Sequence, residues 1–404
     1  MPDDPADTAA ATAAATAAAT AAATAALIDR ATRWAGDWAA PRLSGWERAQ
    51  ALPRGAFEQA AAAGLMAVEV PAGHGGLGLP FSAKAALVQA LAELDFGVAM
   101  ALVNSQNIAA KLAREGPAHL AGRWVAPLMR GDAVGCTALT EPGAGSDFAA
   151  ITTHATRVDG GWRLDGAKAW ITNAAVADVA VLYAQTEPGS GGRGIASFLV
   201  EAQRTGFVRE PAFALSGQAT IGAGGFRLEG YLARDDEQLA APGRAFKAAL
   251  GSINGARTYI AAMCCGMVAR CLQVADAHGE QRQAFGRALA DHQGWRWRLA
   301  QASAELAACQ AMVDAAAAAI DAGRDAQLAA AQAKLLATQM AERQIPALAQ
   351  AMGAEGLREH HPFGRHLAGA RVAGFVDGSS EMLLERIAAV RRANMTPPTQ
   401  GDKP

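Results

Sequence analysis

His154-Ala155-Thr156-Arg157-Val158, then Asp159-Gly160-Gly161, then Trp162-Arg163-Leu164 reads as one β-hairpin: β-branched and alternating residues on either side of a glycine turn. Working outward, the same character runs from about residue 136 to 238. Val176–Tyr183 and Ile195–Val200 are short apolar strands between Gly and Asp turns, without a helical period. This predicts an antiparallel sheet in the middle of the chain.

Both flanks read as helix. From 26 to 135 the apolar positions recur at three and four, as in Ala85, Leu87, Val88, Leu91 and Leu94. Pro53, Pro71, Pro80, Pro117 and Pro127 are expected to punctuate that zone. After about 241, segments near 245–280, 291–322, 325–353 and 380–393 are long enough for a helical bundle, with Pro346 expected to kink the third. Helix, sheet, helix in three blocks is an α+β pattern without strand–helix alternation. The expected division is an Ala/Thr tail at 1–25, a helical domain at 26–135, a β domain at 136–240, a helical domain at 241–395 and a second tail at 396–404.

Composition bounds what such a chain does. Of 404 residues, 104 are alanine, which leans helical, and 43 are glycine. A net charge of −2 offers no footprint for nucleic acid or for an anionic membrane. The five cysteines form no C-x-x-C pair and their number is odd, so reduced intracellular thiols are expected, not a zinc site or a disulfide framework. Asp3, Asp4 and Asp7 stand where a signal peptide would be basic, and Thr8–Ala26 is too weakly apolar for a membrane span. A cytoplasmic setting is expected. Threonines at 8, 12, 16, 20 and 24 mark a low-complexity repeat, set apart here from the fold.

One motif misleads. Gly73-His74-Gly75-Gly76-Leu77-Gly78 satisfies G-x-G-x-x-G, yet Pro80 intervenes and no parallel strand follows. A glycine turn between elements is the better reading.

Five segments carry chemistry. In Ala138-Leu139-Thr140-Glu141-Pro142-Gly143-Ala144-Gly145-Ser146-Asp147, glycines around Ser146 let backbone amides approach an anion or a polar ring edge. Gly166-Ala167-Lys168-Ala169-Trp170-Ile171-Thr172-Asn173 puts Trp170 and Thr172 two apart, on one face if both lie in a strand. An aromatic platform beside a hydroxyl suits a flat heteroaromatic ligand. Arg282-Gln283-Ala284-Phe285-Gly286-Arg287 places two arginines around a Phe-Gly turn, a pattern able to clamp a diphosphate. Gln350-Ala351-Met352-Gly353-Ala354-Glu355-Gly356 ends a helix in glycines, and Asp377-Gly378-Ser379-Ser380-Glu381 resembles an N-cap before the last helix.

Taken in this order, the segments resemble the acyl-CoA dehydrogenase family of flavoproteins over nearly everything after the tail. The glycine turn fits as well, through the family's P-x-x-x-G-G-x-G pattern at Pro71–Gly78. The resemblance implies an N-terminal helical domain, a middle antiparallel β domain and a C-terminal four-helix bundle, assembled as a homotetramer (a dimer of dimers). It implies FAD, with Leu139, Thr140, Ser146, Trp170, Thr172, Arg282, Phe285, Gln350, Gly353, Ser379 and Glu381 on the cofactor. On the substrate side it implies Ser146, Asn254, Arg257 and Gly378.

The implied reaction is α,β-desaturation of an acyl thioester. The carbonyl is polarised by hydrogen bonds, a carboxylate takes the α-proton, and the β-hydride passes to flavin N5. Electron-transfer flavoprotein, or a similar carrier, is the implied acceptor. The chain departs from the family at the base: a Glu is usual where Asp377 stands, and the position used by a second branch is Ala256. Asp is shorter by one methylene, on the order of 1.5 Å, and proton abstraction is sensitive to such misplacement. Asp377 is expected to be the base, with Glu381 the weaker candidate. His278-Gly279 also replaces the family's Tyr-Ala. His360, His361 and His366 lack carboxylates at ligand spacing, so a polar loop and no metal are expected. Other functions compatible with the resemblance are an acyl-carrier-protein-linked dehydrogenase, a flavin monooxygenase or oxidase, and a catalytically silent binding subunit. A DNA-binding relative is disfavoured for want of a basic C-terminal extension.

Overall fold

A computed structural model describes residues 5–395. The expected 396–404 tail and the first four residues of the 1–25 tail lie outside the described residues. The chain divides into two compact units, 1–245 and 246–404.

The first unit opens with six helices: α1 (Pro5–Arg33), α2 (Leu43–Ala49), α3 (Arg54–Ala62), α4 (Phe81–Ala92), α5 (Phe96–Glu115) and α6 (Ala118–Arg130). The Ala/Thr stretch is therefore helix from Pro5, continuous with a turn that buries Leu27 and Ala31. Pro53, Pro80 and Pro117 cap α3, α4 and α6, and Pro71 caps a short 3-10 turn. Pro127 does not punctuate; it sits inside α6. The Gly73–Gly78 motif is a turn, as read. A Cβ at Gly76 would lie 2.0 Å from the Val70 carbonyl oxygen, so only glycine fits there.

Eight strands follow: β1 (Gly135–Ala138), β2 (His154–Val158), β3 (Gly161–Ile171), β4 (Val179–Gln185), β5 (Ile195–Glu201), β6 (Phe207–Arg209), β7 (Gly224–Arg234) and β8 (Gln238–Ala240). They form one sheet in the order β6-β7-β3-β2-β4-β5-β8, with β1 beside β4. The β2–β3 hairpin closes at Val158↔Gly161, where the sequence places it. Pairing is antiparallel except along β4, which takes β1 and one residue of β2 in parallel. The sheet core joins Leu164, Leu182, Phe198, Phe226 and Tyr231. Helix α5 is nailed to the sheet by polar ties. Asp95 caps it, accepting from Val98 N at 2.8 Å and from the Thr220 hydroxyl at 2.7 Å. Asn173 Nδ2 donates to the Ala101 carbonyl at 2.8 Å and to the Gly135 carbonyl at 3.2 Å.

The second unit holds most of α7 (Arg244–Gln281), a hairpin of β9 (Gln283–Ala284) and β10 (Arg287–Ala288), then α8 (Gln293–Asp321), α9 (Gln327–Ala351), α10 (Phe363–Ala373) and α11 (Ser380–Met395). Helix α9 is the hub, packed against α8, α10 and α11. Its Ala330, Ala331, Ala333, Ala337 and Ala341 are fully buried, small side chains that allow close helix approach. It continues as helix through Pro346. Helix α10 was not expected: His366, read as part of a polar loop, is fully buried on it. By length and hydropathy α7 and α8 could each cross a membrane, a test that core helices also pass; most of the apolar stretch of α7 is buried in protein. All five cysteines are free and buried. Burial pushes the Cys136 and Cys264 thiols up to about 12, which makes them inert.

Candidate active site

Two loops of the first unit carry its site residues. Beyond β1 the chain makes a tight turn in which Glu141 and Ala144 exchange backbone hydrogen bonds of 2.9 and 3.2 Å. The turn is held from below by a buried ion pair that the sequence reading passed over. Lys168 Nζ donates to Glu141 Oε1 at 2.8 Å and to the Leu139 carbonyl at 3.0 Å. Glu141 also accepts from the backbone of Thr152 and Thr153 and from the Thr152 hydroxyl. Burial alone would raise the Glu141 carboxyl. The Lys168 charge and these hydrogen bonds outweigh it and hold the group at about 2. A backbone hydrogen bond of 3.1 Å from Ala169 N to the Thr140 carbonyl completes the join. Leu139 and Thr140 are thus fixed beside the end of β3, and Ser146 stands exposed on the glycine-rich turn.

The Trp170–Thr172 expectation needs correction. Strand β3 ends at Ile171, and Trp170 has a left-handed φ of 62°. A period of two therefore does not govern the pair, and Thr172 lies in the following turn. The left-handed backbone turns the indole outward, 61% exposed, with one edge against Phe213 at 4.7 Å between ring centroids. Asn173, also at positive φ, buries its amide in the α5 ties and pins this corner.

The second unit gathers a different set. Lys334, fully buried on α9, donates from Nζ to the carbonyls of Val376 and Gly378. Arg257, buried on α7, donates from Nε to the Asp377 carbonyl at 3.2 Å. Three successive carbonyls, 376 to 378, are therefore held by two cations from two helices. Asp377 sits between them at a left-handed φ of 52°, which an aspartate adopts at a cost of about 1–2 kcal/mol. Gly378 follows at φ 105°, and a Cβ there would meet Arg257 Nη2 at 3.3 Å. Burial raises the Asp377 carboxyl above its usual range, and the nearby Lys334 and Arg257 charges pull it only part of the way back. Glu381 contrasts: it is exposed at the start of α11, and backbone and Ser379 hydrogen bonds lower its pKa. Ser379 caps that helix, accepting from Met382 N at 3.5 Å.

Arg257, which the resemblance sets near the substrate, is thus a backbone anchor for Asp377. Asn254, one turn earlier on α7, keeps a buried Oδ1 with no hydrogen-bond partner. At the other end of the unit, Phe285 and Gly286 form the turn of the β9–β10 hairpin at φ 52° and 79°, a type I′ geometry that leaves Phe285 98% exposed beside Arg282. Trp295 ties this region to the end of α9: its ring packs on Gly279 and its Nε1 donates to the Ala351 carbonyl at 3.1 Å, next to exposed Gln350. Gly353 follows at φ 64°.

Among the described residues, Gln50, Trp170, Asn173, Gln218, Phe285 and Asp377 are the non-glycine positions at positive φ. Three of the six, Trp170, Phe285 and Asp377, are candidate site residues from the sequence, and stored backbone strain tends to gather at functional sites. Lys334, like the Glu141–Lys168 pair, is not legible in the sequence; a lone lysine in an alanine-rich helix gives no signal of burial.

The chain matches three family models in register: acyl-CoA dehydrogenase N-terminal domain over 21–132, middle domain over 136–230 and C-terminal domain over 243–391. It is 32% identical over 324 residues to human short-chain specific acyl-CoA dehydrogenase, covering 79% of this chain and 78% of that protein. It resembles the structure of butyryl-CoA dehydrogenase from Megasphaera elsdenii at TM-score 0.87 and 25% identity, covering 91% and 98% of the two chains. A structure of PigA with FAD and proline aligns at TM-score 0.86 and 25% identity, covering 92% and 98%. The strained Asp377 loop and the glycine and tryptophan corners lie within these matched spans, and the chain belongs to the acyl-CoA dehydrogenase family.

Proposed function

We propose that this chain desaturates an acyl thioester between Cα and Cβ, with Asp377 as the base that removes the α-proton. FAD is the family's cofactor, and the residues present fit it: an outward indole at Trp170, a glycine-rich turn around Ser146, and Arg282 beside an exposed Phe-Gly turn. When bound, FAD supplies the acceptor for the substrate's β-hydride. The rest of the chemistry falls to the chain. Burial makes the Asp377 carboxylate a stronger base than an exposed aspartate, while the Lys334 and Arg257 charges oppose that shift by favouring the ionised form. Their grip on carbonyls 376–378 fixes where that carboxylate points. The unpartnered Oδ1 of Asn254 supports a polar substrate group arriving at this face of α7.

The observation that carries this reading is the Asp377 loop: a left-handed aspartate, anchored by two cations and shifted upward by burial. The substrate carrier is coenzyme A in this proposal, and the acceptor is electron-transfer flavoprotein or a similar carrier. A homotetramer in the cytoplasm belongs to the same proposal. Anaerobic titration of the yellow protein with acyl-CoAs of graded length tests it. Bleaching of the flavin is expected with at least one short acyl-CoA in the wild type and none with Asp377→Asn, which should keep its FAD. Full bleaching in that variant would remove Asp377 from the role.

A further inference from the structure

The turn that leads from α9 into α10 holds a group the function above does not use. Glu355, His360 and His361 offer one ligand atom each, all within 4.8 Å of one another. This overturns the expectation that the histidines lack a carboxylate: Glu355, five residues before His360, folds back onto both. Two backbone hydrogen bonds of 3.1 Å, Arg358 N to the Glu355 carbonyl and His361 N to the Arg358 carbonyl, make the double turn that brings them together.

We propose that Glu355, His360 and His361 form a binding site for a divalent transition-metal ion of the zinc type. The geometry is the main argument. His361 Nε2 lies 3.2 Å from Glu355 Oε1, and His360 Nε2 lies 3.7 Å from the same oxygen. Ligands about 2.0–2.1 Å from a tetrahedral zinc ion are separated by about 3.3 Å along the tetrahedron's edge. The two contacts bracket that value. The imidazole rings are 4.0 Å apart between centroids, and one ligand atom of each lies within 4.8 Å of the other and of the Glu355 carboxylate. Two imidazoles and a carboxylate favour zinc, cobalt, nickel or copper over calcium or magnesium, which want oxygen ligands. Water would complete the shell, since His360 is exposed and Glu355 is at the edge of exposure. A bound ion would strap the glycine turn at Gly353 to the start of α10.

The chain also supplies a competitor. Arg358 Nη1 approaches Glu355 Oε1 at 3.3 Å, in the place a cation would take. His278, at the end of α7, lies within electrostatic range of Glu355 and His361.

Calorimetric titration of chelator-stripped, FAD-loaded protein with zinc ions tests the site, with zinc X-ray absorption to count imidazoles. One zinc per chain with two imidazole ligands is expected. His361→Ala and Glu355→Gln should each weaken binding at least tenfold, with unchanged metal-free melting, and Arg358→Ala should tighten it. Absence of stoichiometric binding in the wild type would overturn the proposal. So would zinc binding that is unchanged in a His360→Ala, His361→Ala double variant.

Discussion

Arg257 Nε donates to the backbone carbonyl of Asp377 at 3.2 Å, so the guanidinium grips the main chain of the loop while its charge is felt by the loop's carboxylate. Lys334 does the same from the other side, through the carbonyls of Val376 and Gly378. Replacing Lys334 with Met removes both of its hydrogen bonds at once and leaves the left-handed Asp377 held by Arg257 only. The expected result is a fall of about 100-fold in the rate of flavin reduction, the loss that a misplacement near 1 Å produces, with a smaller change in KM. Lys334→Arg should recover part of it. Stopped-flow bleaching at saturating acyl-CoA reads the effect, and an unchanged rate in Lys334→Met would mean that the loop holds its shape without the clamp.

The Glu141–Lys168 pair makes a separate claim about the other unit. Both side chains are almost fully buried, so removing one partner strands a charge. Glu141→Gln or Lys168→Met should each cost about 3–5 kcal/mol, with the double variant recovering much of the loss. The pH dependence has a definite sign. The Glu141 carboxyl is lower in the folded chain than in the unfolded one, so its contribution is present above the ordinary carboxylate range and is lost as pH falls toward about 2. Chemical denaturation of wild type and Glu141→Gln from pH 6 down to pH 2 should show the gap between them closing.

Sequence periodicity reached some of this and stopped short of the rest for physical reasons. The Asp159-Gly160 turn, with Gly161 opening β3, was legible because a two-residue glycine turn between alternating strands has few other structures. The strain at Trp170 was not, because a period of two assumes extended backbone, and nothing in Ala-Trp-Ile-Thr announces a left-handed residue. Lys334 was invisible for the opposite reason: a lysine in a helix reads as a solvated end unless tertiary partners are known, and here those partners are carbonyls 42 and 44 residues away. Glu355 gives no signal as a partner of the histidines because it stands off ligand spacing along the sequence, whereas a double turn folds it back onto them.

Trp170 gives a prediction that separates binding from folding. Its indole is 61% exposed and touches Phe213, so Trp170→Ala should change stability by less than about 1 kcal/mol. A ring stacked on the flavin contributes about 0.5–1.5 kcal/mol beyond its buried area, so FAD should be retained about 2- to 12-fold less tightly. Equilibrium dialysis against free FAD, alongside a melting curve, reads both. Unchanged FAD affinity would remove Trp170 from the flavin site, whatever the melting curve did.

Asp377 links pH to both activity and stability, in opposite senses. In the proposed role of base it works ionised, so the rate of flavin bleaching should climb with pH through a midpoint above the usual aspartate value of 3.8. In stability the raised carboxyl counts against the fold. Between 3.8 and the raised value the folded chain holds a proton that the unfolded chain has released, so stability falls as pH rises through that window. Asp377→Asn cannot ionise and escapes the loss. Its Tm should match the wild type at low pH, where both groups are neutral, and exceed it once the window is passed. A variant that melts below the wild type at neutral pH would mean that the ionised carboxylate is a net stabiliser, held by Lys334 and Arg257 more firmly than burial opposes it.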